Sequence, residues 1–412
     1  MRMRIAVLAS EFPVLSETPF LNQITGLVRR GHDVAIFAER PQPGVAHHPD
    51  VDRLGLAARY PIALPSAGRW PAAARLLAAR DRGERRILLR TMDPIRFWRR
   101  AWTLEEFRRA ASFLPAVRYD ACYAAFGQDG LRALRLRRSG ALAGPLAVAF
   151  RGADITKFVA IRGPRVYRAL FRRAALLLPV CDAFATRLLA LGAPPERVVV
   201  HHTGIDLTRW PWQSRPTRSG GPLRLLTVGR LVEKKGIGYV LEAVRRLGDA
   251  GVPAEYELAG EGPLREHLEA ECRRLGIGER VRFLGWQSQE QVREALERAD
   301  LLIAASVTAE NADEEGIPNV LKEAMAVGVP VVSTRHGGIP ELVEDGVSGV
   351  LVPERDPEAL AAQLAELAAH PERRAELAAG GRVRVERDYD IERLNDRLVT
   401  LFAGLSRTAG TS

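Results

Sequence analysis

The sequence predicts an α/β protein built from two doubly wound parallel-sheet domains that face each other across a cleft. Three observations carry this. Apolar, strand-like runs alternate with helix-period segments along the chain. The breaker-rich stretch from Trp210 to Pro222 divides that alternation in two. The length of 412 residues suits two domains or three at about 150 residues each. In such sheets, ligands sit outside the carboxyl ends of the strands.

Taken in order, Ile5–Leu8 reads as the first strand and about Phe20 to Arg30 as a helix. The turn Gly31-His32-Asp33 and a second strand, Val34–Phe37, follow. A turn closing a helix before a β-branched run is the mark of a βαβ unit and a parallel sheet. Roughly Arg69 to Val117 is arginine-rich and helical in period, and Leu146–Phe150, Ala175–Val180 and Val198–His201 read as later strands of the same sheet. Beyond the linker come strand Leu223–Val228, Gly229 and a helix near Gly238–Leu247. Strands Glu255–Leu258, Val281–Leu284, Leu301–Ala304 and Val329–Ser333 complete the second half, and Ile391–Leu405 reads as a final helix.

Composition excludes several classes. With 47% apolar and 27% charged residues the chain is an ordinary globular one. Cys122, Cys181 and Cys272 are widely spaced and odd in number, which argues against a disulfide framework or a paired-CxxC zinc site. The pairs His47–His48 and His201–His202 have no ligand spacing. No stretch reaches the roughly 18 apolar residues of a membrane span, and no cleavage site follows the first apolar run. The expectation is a cytoplasmic protein, or one peripheral on the inner face of the cytoplasmic membrane.

Charge is uneven. Residues 1–206 hold 33 Lys+Arg against 17 Asp+Glu, whereas the remainder holds 27 against 33. This asymmetry points to an anionic partner for the first half. From Arg85 to Arg109, arginines mix with Phe97, Trp98, Trp102 and Phe107, a pattern that fits a membrane-surface face better than a nucleic-acid stripe.

The informative stretch runs from Glu315 through Gly316, Ile317, Pro318, Asn319 and Val320 to Glu323. Pro318 suits the first turn of a helix, since its missing N–H would be an orphan there. Glu315 then precedes the helix and Glu323 lies more than a turn inside it. The free amides near Asn319 and Val320 would attract phosphate through the helix dipole. Two carboxylates around an anion-binding helix start suit a ligand with hydroxyls and a diphosphate, such as a nucleotide sugar.

The block EGIPNVLKEAMAVGVPVVST, followed by GGIPELVEDGVSGVLV, resembles retaining glycosyltransferases of family 4, whose architecture is GT-B, two Rossmann-like domains. The resemblance covers the whole chain. VGRLVEKKGIGYVLEAV and LAGEGPLREHLE resemble the donor-binding domain, VCDAFATRLLALGAPPERVVVHHTGIDLTRW resembles the exit of the first domain to the hinge, and SETPFLNQI looks most like colanic-acid-type transferases. The implied layout is an acceptor-binding domain over 1–207, a linker over 208–222, a nucleotide-sugar domain over 223–385 and, over 386–412, a helix crossing back to the first domain.

The resemblance also implies roles. Arg230 and Lys235 grip the donor diphosphate, and Glu315 stabilises positive charge near the anomeric carbon. Glu323 hydrogen-bonds the ribose, while the backbone of Gly229 and of Gly316 to Val320 cradles sugar and diphosphate. Gly285 and Trp286 lie near the base. No metal and no separate cofactor are implied; the co-substrate is a nucleotide-diphosphate sugar, UDP- or GDP-linked, and the acceptor a glycan or a polyprenyl-diphosphate-linked glycan.

The chain departs from the family's pattern at the acceptor side. The HxH segment is Tyr123-Ala124-Ala125, and His-Gly-x-Asp appears as Arg151-Gly152-Ala153-Asp154. The glycine-glycine loop after the first strand is replaced by Ser16-Glu17-Thr18. Ser16, Glu17, Thr18, Arg151 and Asp154 are therefore the acceptor-side candidates. In the front-face mechanism proposed for such enzymes, the leaving diphosphate itself deprotonates the acceptor.

Two motifs are discounted. Asp50-Val51-Asp52 has DxD spacing but sits in a loop with no strand to present it. Gly260-Glu261-Gly262 lacks the third glycine of a dinucleotide fingerprint, where Arg265 stands. A sugar-nucleotide epimerase or hydrolase, and a catalytically silent nucleotide-sugar-binding module, are the alternatives on the same fold.

Overall fold

The computed structural model describes residues 2–13, 18–41, 49–213 and 220–408. Among these, two six-stranded parallel sheets organise the chain. The first comprises β1 (Arg4–Glu11), β2 (Asp33–Arg40), β3 (Ala58–Arg59), β4 (Ala121–Ala124), β5 (Leu146–Phe150) and β6 (Leu176–Pro179). Its order is β3-β2-β1-β4-β5-β6. The second comprises β7 (Leu223–Val228), β8 (Ala254–Ala259), β9 (Val281–Gly285), β10 (Leu301–Ala304), β11 (Val331–Thr334) and β12 (Val350–Val352), in the order β12-β11-β10-β7-β8-β9. The two orders are one topology read from opposite edges: the chain starts mid-sheet, winds outward, then crosses back to wind the other way. Each sheet therefore has a switch point, between β1 and β4 and between β7 and β10, where a crevice opens at the carboxyl ends.

Both faces of each sheet are covered, so the strands read as continuous apolar runs. In β1, Ile5, Val7 and Ala9 enter one core cluster and Ala6 and Leu8 another. That is the two-residue period of a strand expressed as two cores. Leu301 and Ile303 split from Leu302 and Ala304 in the same way.

Several local expectations change. Val198–His201 is not a strand but makes one bridge, Leu177 to Val198, with the amides of Val199 and His201 donating to Leu177 and Pro179. It lies beside the edge strand β6 and is bonded on one side only before the chain leaves for the second half. The Asp50–Asp52 pair lies in the helix Pro49–Arg53 rather than a loop, and Asp50 is buried against Arg29 at 3.1 Å and Arg209 at 2.7 Å. The strands Ala58–Arg59, Ala121–Ala124 and Val350–Val352, two to four residues long, are too short for periodicity to reveal. Within the breaker-rich stretch, Trp210 is buried in the second half's core; residues 214–219 lie outside the described residues.

The halves touch at several points. The carboxylate of Glu341 accepts from the amides of Asp182 and Ala183, at the start of the helix Asp182–Ala190. Arg187 pairs with Glu314 at 2.9 Å. The helix Ile391–Thr408 lies on Thr18–Arg29: Arg30 pairs with Glu392 and Asp396, and the Phe402 ring is 5.4 Å from that of Tyr123. Among the described residues, no helix is long and apolar enough to cross a membrane.

Candidate functional site

A cleft of about 400 Å³ lies between the carboxyl ends of the two sheets. Its wall on the second half is Val228, Gly229, Lys235 and the continuous run Glu315 to Val320; on the first half it is Pro19, Phe20, Phe126, Arg151, Val180 and Thr203.

The second-half wall is assembled by two loops at its switch point. After β7 the chain passes Gly229 and Arg230 into a single 3-10 turn, Glu233–Lys235. After β10 a long loop leads to Glu315 and the helix Asn319–Val327. Pro318 caps that helix rather than entering its first turn, with φ −60° and ψ 130°. Its fixed φ still prepares the start, and the Asn319 and Val320 amides have no acceptor within the helix. Their unpaired donors and the helix dipole favour an anion at this edge of the cleft.

Glu315 stands among cations. Its Oε1 lies 3.0 Å from Lys235 Nζ and 3.3 Å from Lys234 Nζ, and Lys234 also reaches Asp313 at 3.1 Å. Burial alone would raise its pKa, but Lys235 and Lys234 overcome that and hold the carboxyl at about 2. The group is a fixed negative charge at neutral pH, not a proton donor.

Its backbone is equally constrained. The Glu315 N–H donates to Nε2 of the buried His336 at 3.1 Å, while His336 Nδ1 lies 2.7 Å from Glu354 Oε1. Because Nε2 must supply a lone pair to that amide, the proton sits on Nδ1 and is donated to Glu354. Glu354 Oε2 in turn accepts from the Thr308 amide. Gly337, at φ 51°, is required here: a Cβ would come 2.1 Å from the Glu315 carbonyl.

The second carboxylate of the motif, Glu323, lines a separate cavity of about 30 Å³ that shares Pro19 and Asn319 with the cleft and borders Gly204 to Asp206. Burial raises its pKa to about 7, against the pull of Lys322. Burial likewise lowers the Lys322 ammonium to about 7; that side chain is 1% exposed and donates to the Thr203 carbonyl and hydroxyl at 2.7 and 2.8 Å. Arg230, Gly285 and Trp286 line neither cavity; Arg230 is exposed, Trp286 is 60% exposed, and the Gly285 carbonyl accepts from Gly260.

On the first half, Arg151 lies on the cleft, but Asp154 does not. Its two oxygens accept from the amides of Arg151, Gly152 and Gly127 at 2.9–3.0 Å, so it is a buried loop-closing carboxylate rather than an acceptor-side group. Ser16 and Glu17 lie outside the described residues, and Thr18 is described only as the first residue of its helix. Tyr123 and Ala125, where the family pattern has histidines, position Arg151: its Nη2 meets Tyr123 OH and Gln23 Oε1, and its Nε meets the Ala125 carbonyl.

Sequence reasoning missed His336, Glu354, Lys322, Thr203 and Gln23. His336 had a legible flag, the Gly337-Gly338 pair beside it, since paired glycines mark close backbone approach. The others had none. Among the described residues, no group of three or more His, Cys, Asp or Glu gathers as a metal site would.

Known proteins resemble this chain over nearly its full length. Residues 17–209 match the model of Glycosyltransferase Family 4, and residues 208–384 that of Glycosyl transferases group 1. The putative colanic acid biosynthesis glycosyltransferase WcaL of Salmonella typhimurium is 35% identical over 97% of this chain and 99% of its own length. The amylovoran biosynthesis glycosyltransferase AmsK of Erwinia amylovora is 35% identical over 94% of this chain and 96% of its own. Anabaena HepE in complex with UDP-glucose superposes with a TM-score of 0.72 at 19% identity, over 98% of this chain and all of that one. Sucrose-phosphate synthase of Thermosynechococcus elongatus gives 0.71 at 17%, over 99% of this chain and all of its own. These two structures share the two-domain GT-B fold.

Proposed function

We propose that this chain, which belongs to glycosyltransferase family 4, transfers a sugar from a nucleotide-diphosphate donor to a hydroxyl of a glycan or lipid-linked glycan in exopolysaccharide biosynthesis. Transfer retains the anomeric configuration and needs no metal ion. The observation that carries this reading is Glu315: the one carboxylate on the described cleft wall, ionised by two lysines, at the lip of an anion-binding helix start.

In this reading the donor occupies the second half's crevice. Its diphosphate lies at the Asn319 and Val320 amides, with Lys235 and Arg230 as counter-charges in place of a divalent cation. Glu323 meets the ribose, and Gly285 and Trp286 flank the base. A UDP-sugar is the donor class, as in the HepE complex. The bond from the anomeric carbon to the diphosphate oxygen breaks, and Glu315 stabilises the positive charge left on the ring. The acceptor oxygen bonds to the same face, and its proton passes to the departing diphosphate oxygen. That route suits a described wall with no histidine and no second carboxylate.

The first half supports a lipid-linked acceptor at the cytoplasmic membrane face. Ten arginines face three carboxylates between residues 69 and 102, and in this stretch Ile95 is 95%, Trp98 71% and Trp102 66% exposed. Arginines beside exposed tryptophans and an exposed isoleucine match an anionic lipid surface, where cations meet phosphate and apolar groups enter the interface.

The test is calorimetry with UDP-, GDP-, ADP- and dTDP-sugars, followed by turnover with EDTA present and NMR assignment of the product anomer. One nucleotide class should bind, turnover should survive chelation, and the donor configuration should be kept. An inverted product would overturn retention, and loss of turnover in EDTA would overturn metal independence.

A further inference from the structure

Arg151 is a cation held in place by neutral groups, with no ion pair among the described residues. It follows β5, and its side chain reaches back across the first sheet's switch point to the end of β4 and the helix behind β1. Three neutral oxygens hold it: the Ala125 carbonyl at 3.0 Å, Gln23 Oε1 at 2.6 Å and Tyr123 OH at 3.1 Å. The Phe20 and Phe126 rings lie 5.4 and 5.9 Å from its guanidinium carbon.

Among the described residues Arg151 makes no ion pair, and its Nη1 donates to nothing. The nearest carboxylate, Asp154, attracts it through space, but its two oxygens are taken by amides and do not reach the guanidinium's open donors. The other cations here are Lys235, balanced by Glu315, and the buried Lys322, whose ammonium is on Thr203. A guanidinium fixed in a cleft wall, with two donors open, is built to receive an anionic oxygen group.

We infer that Arg151 is the anion-binding residue of the acceptor subsite and that the acceptor carries an anionic group, a carboxylate or a phosphate. This rests on the reading that the donor fills the second half's crevice, because a donor diphosphate already served there leaves Arg151 to the other substrate. Each sheet then serves one substrate at its own switch point.

The experiment measures binding of four probes to wild type, Arg151→Gln and Arg151→Lys: methyl β-glucuronide, methyl β-glucoside, farnesyl diphosphate and UDP. The glucuronide or the farnesyl diphosphate should bind wild type about ten- to a hundredfold tighter than the neutral glucoside, the worth of one charge-assisted contact. Which of the two does so separates a sugar carboxylate from a lipid diphosphate. Arg151→Gln should erase that preference, Arg151→Lys should restore part of it, and UDP affinity should stay within about threefold, which also reports an intact fold. No preference for either anion in wild type would overturn the inference. So would a fall in UDP affinity as large as that for the anion in a variant with an unchanged melting temperature, because the guanidinium would then serve the donor. The glucuronide comparison needs no nucleotide, so failure of the donor reading alone would appear as absent UDP binding with the anion preference intact.

Discussion

The two halves share one strand order and one kind of switch-point crevice, yet the crevices carry opposite chemistry. In the first, a guanidinium rests on neutral oxygens and faces the cleft with no ion pair among the described residues. In the second, a carboxylate is wedged between two ammonium groups beside a helix start. Topology decides where a ligand can sit, because helices on both faces leave only the carboxyl ends open. The side chains ending there decide what charge it meets.

The sharpest way to break this contrast is at Glu315. Glu315→Gln keeps the shape and removes the charge, and kcat should fall about 10²- to 10³-fold, as when a preorganised charge is lost elsewhere. Nucleotide affinity should hold or rise, since Lys234 and Lys235 are then unpaired. With the carboxyl held at about 2, wild-type kcat should show no acid limb from this group between pH 5 and 8. His336→Phe, which removes the partner of both the Glu315 amide and Glu354, should cost about tenfold in kcat, and His336→Gln should recover part of it. A Glu315→Gln enzyme within tenfold of wild type would remove the carboxylate from the chemistry.

Next in size is a glycine comparison. Gly337→Ala combines φ 51° with a collision at the Glu315 carbonyl, and should cost about 2–3 kcal/mol in stability with loss of turnover. Gly68→Ala in the first half, at φ 78° and ψ 24° with no atom within 4 Å, bears only the left-handed penalty of about 1 kcal/mol. Chemical denaturation measures both; equal losses would show that contact with Glu315 adds nothing.

A smaller effect follows from Glu323. Its carboxyl is raised from 4.5 to about 7 on folding, so between those values the folded state binds more protons than the unfolded one. Stability contributed by this group is fully present below about pH 4.5 and is lost as pH rises toward 7. Glu323→Gln should flatten that fall in the melting temperature of the unliganded protein while weakening nucleotide binding about tenfold. The depressed Lys322 acts above this window, where its penalty fades between pH 7 and 10.5. An unchanged pH profile would mean that the Glu323 carboxyl is not held out of water.

The smallest effect on chemistry is at the aromatic surface. Replacing Ile95, Trp98 and Trp102 by serine should leave transfer to a soluble acceptor within twofold, yet reduce cosedimentation with anionic vesicles about tenfold, more so at high salt. Equal binding by the triple variant would detach the first half from the lipid surface.

Much of this was legible because it is local. The Leu146–Phe150, Leu223–Val228 and Leu301–Ala304 strands needed only their apolar runs, and the Glu315 to Glu323 block only its spacing around a proline-started helix. The Val198–His201 segment misled because an apolar β-branched run cannot reveal that its neighbour is a sheet edge with room for one bridge. Asp154 misled for a related reason: a carboxylate two residues from a glycine looks available until the amides of Gly127, Arg151 and Gly152 converge on it.

The sequence by itself determined the α/β alternation, the division into two halves and the residues of the donor-side motif, since periodicity and short-range spacing are properties of neighbours along the chain. Tertiary structure alone decided the rest. It set Lys235 3.0 Å from Glu315 across 80 positions, put His336 behind the Glu315 amide, and left Arg151 against Gln23 and Tyr123. Ionisation and ligand charge follow from such contacts, because a buried group takes its protonation state from whatever the fold brings within hydrogen-bonding distance, and no spacing along the chain encodes that.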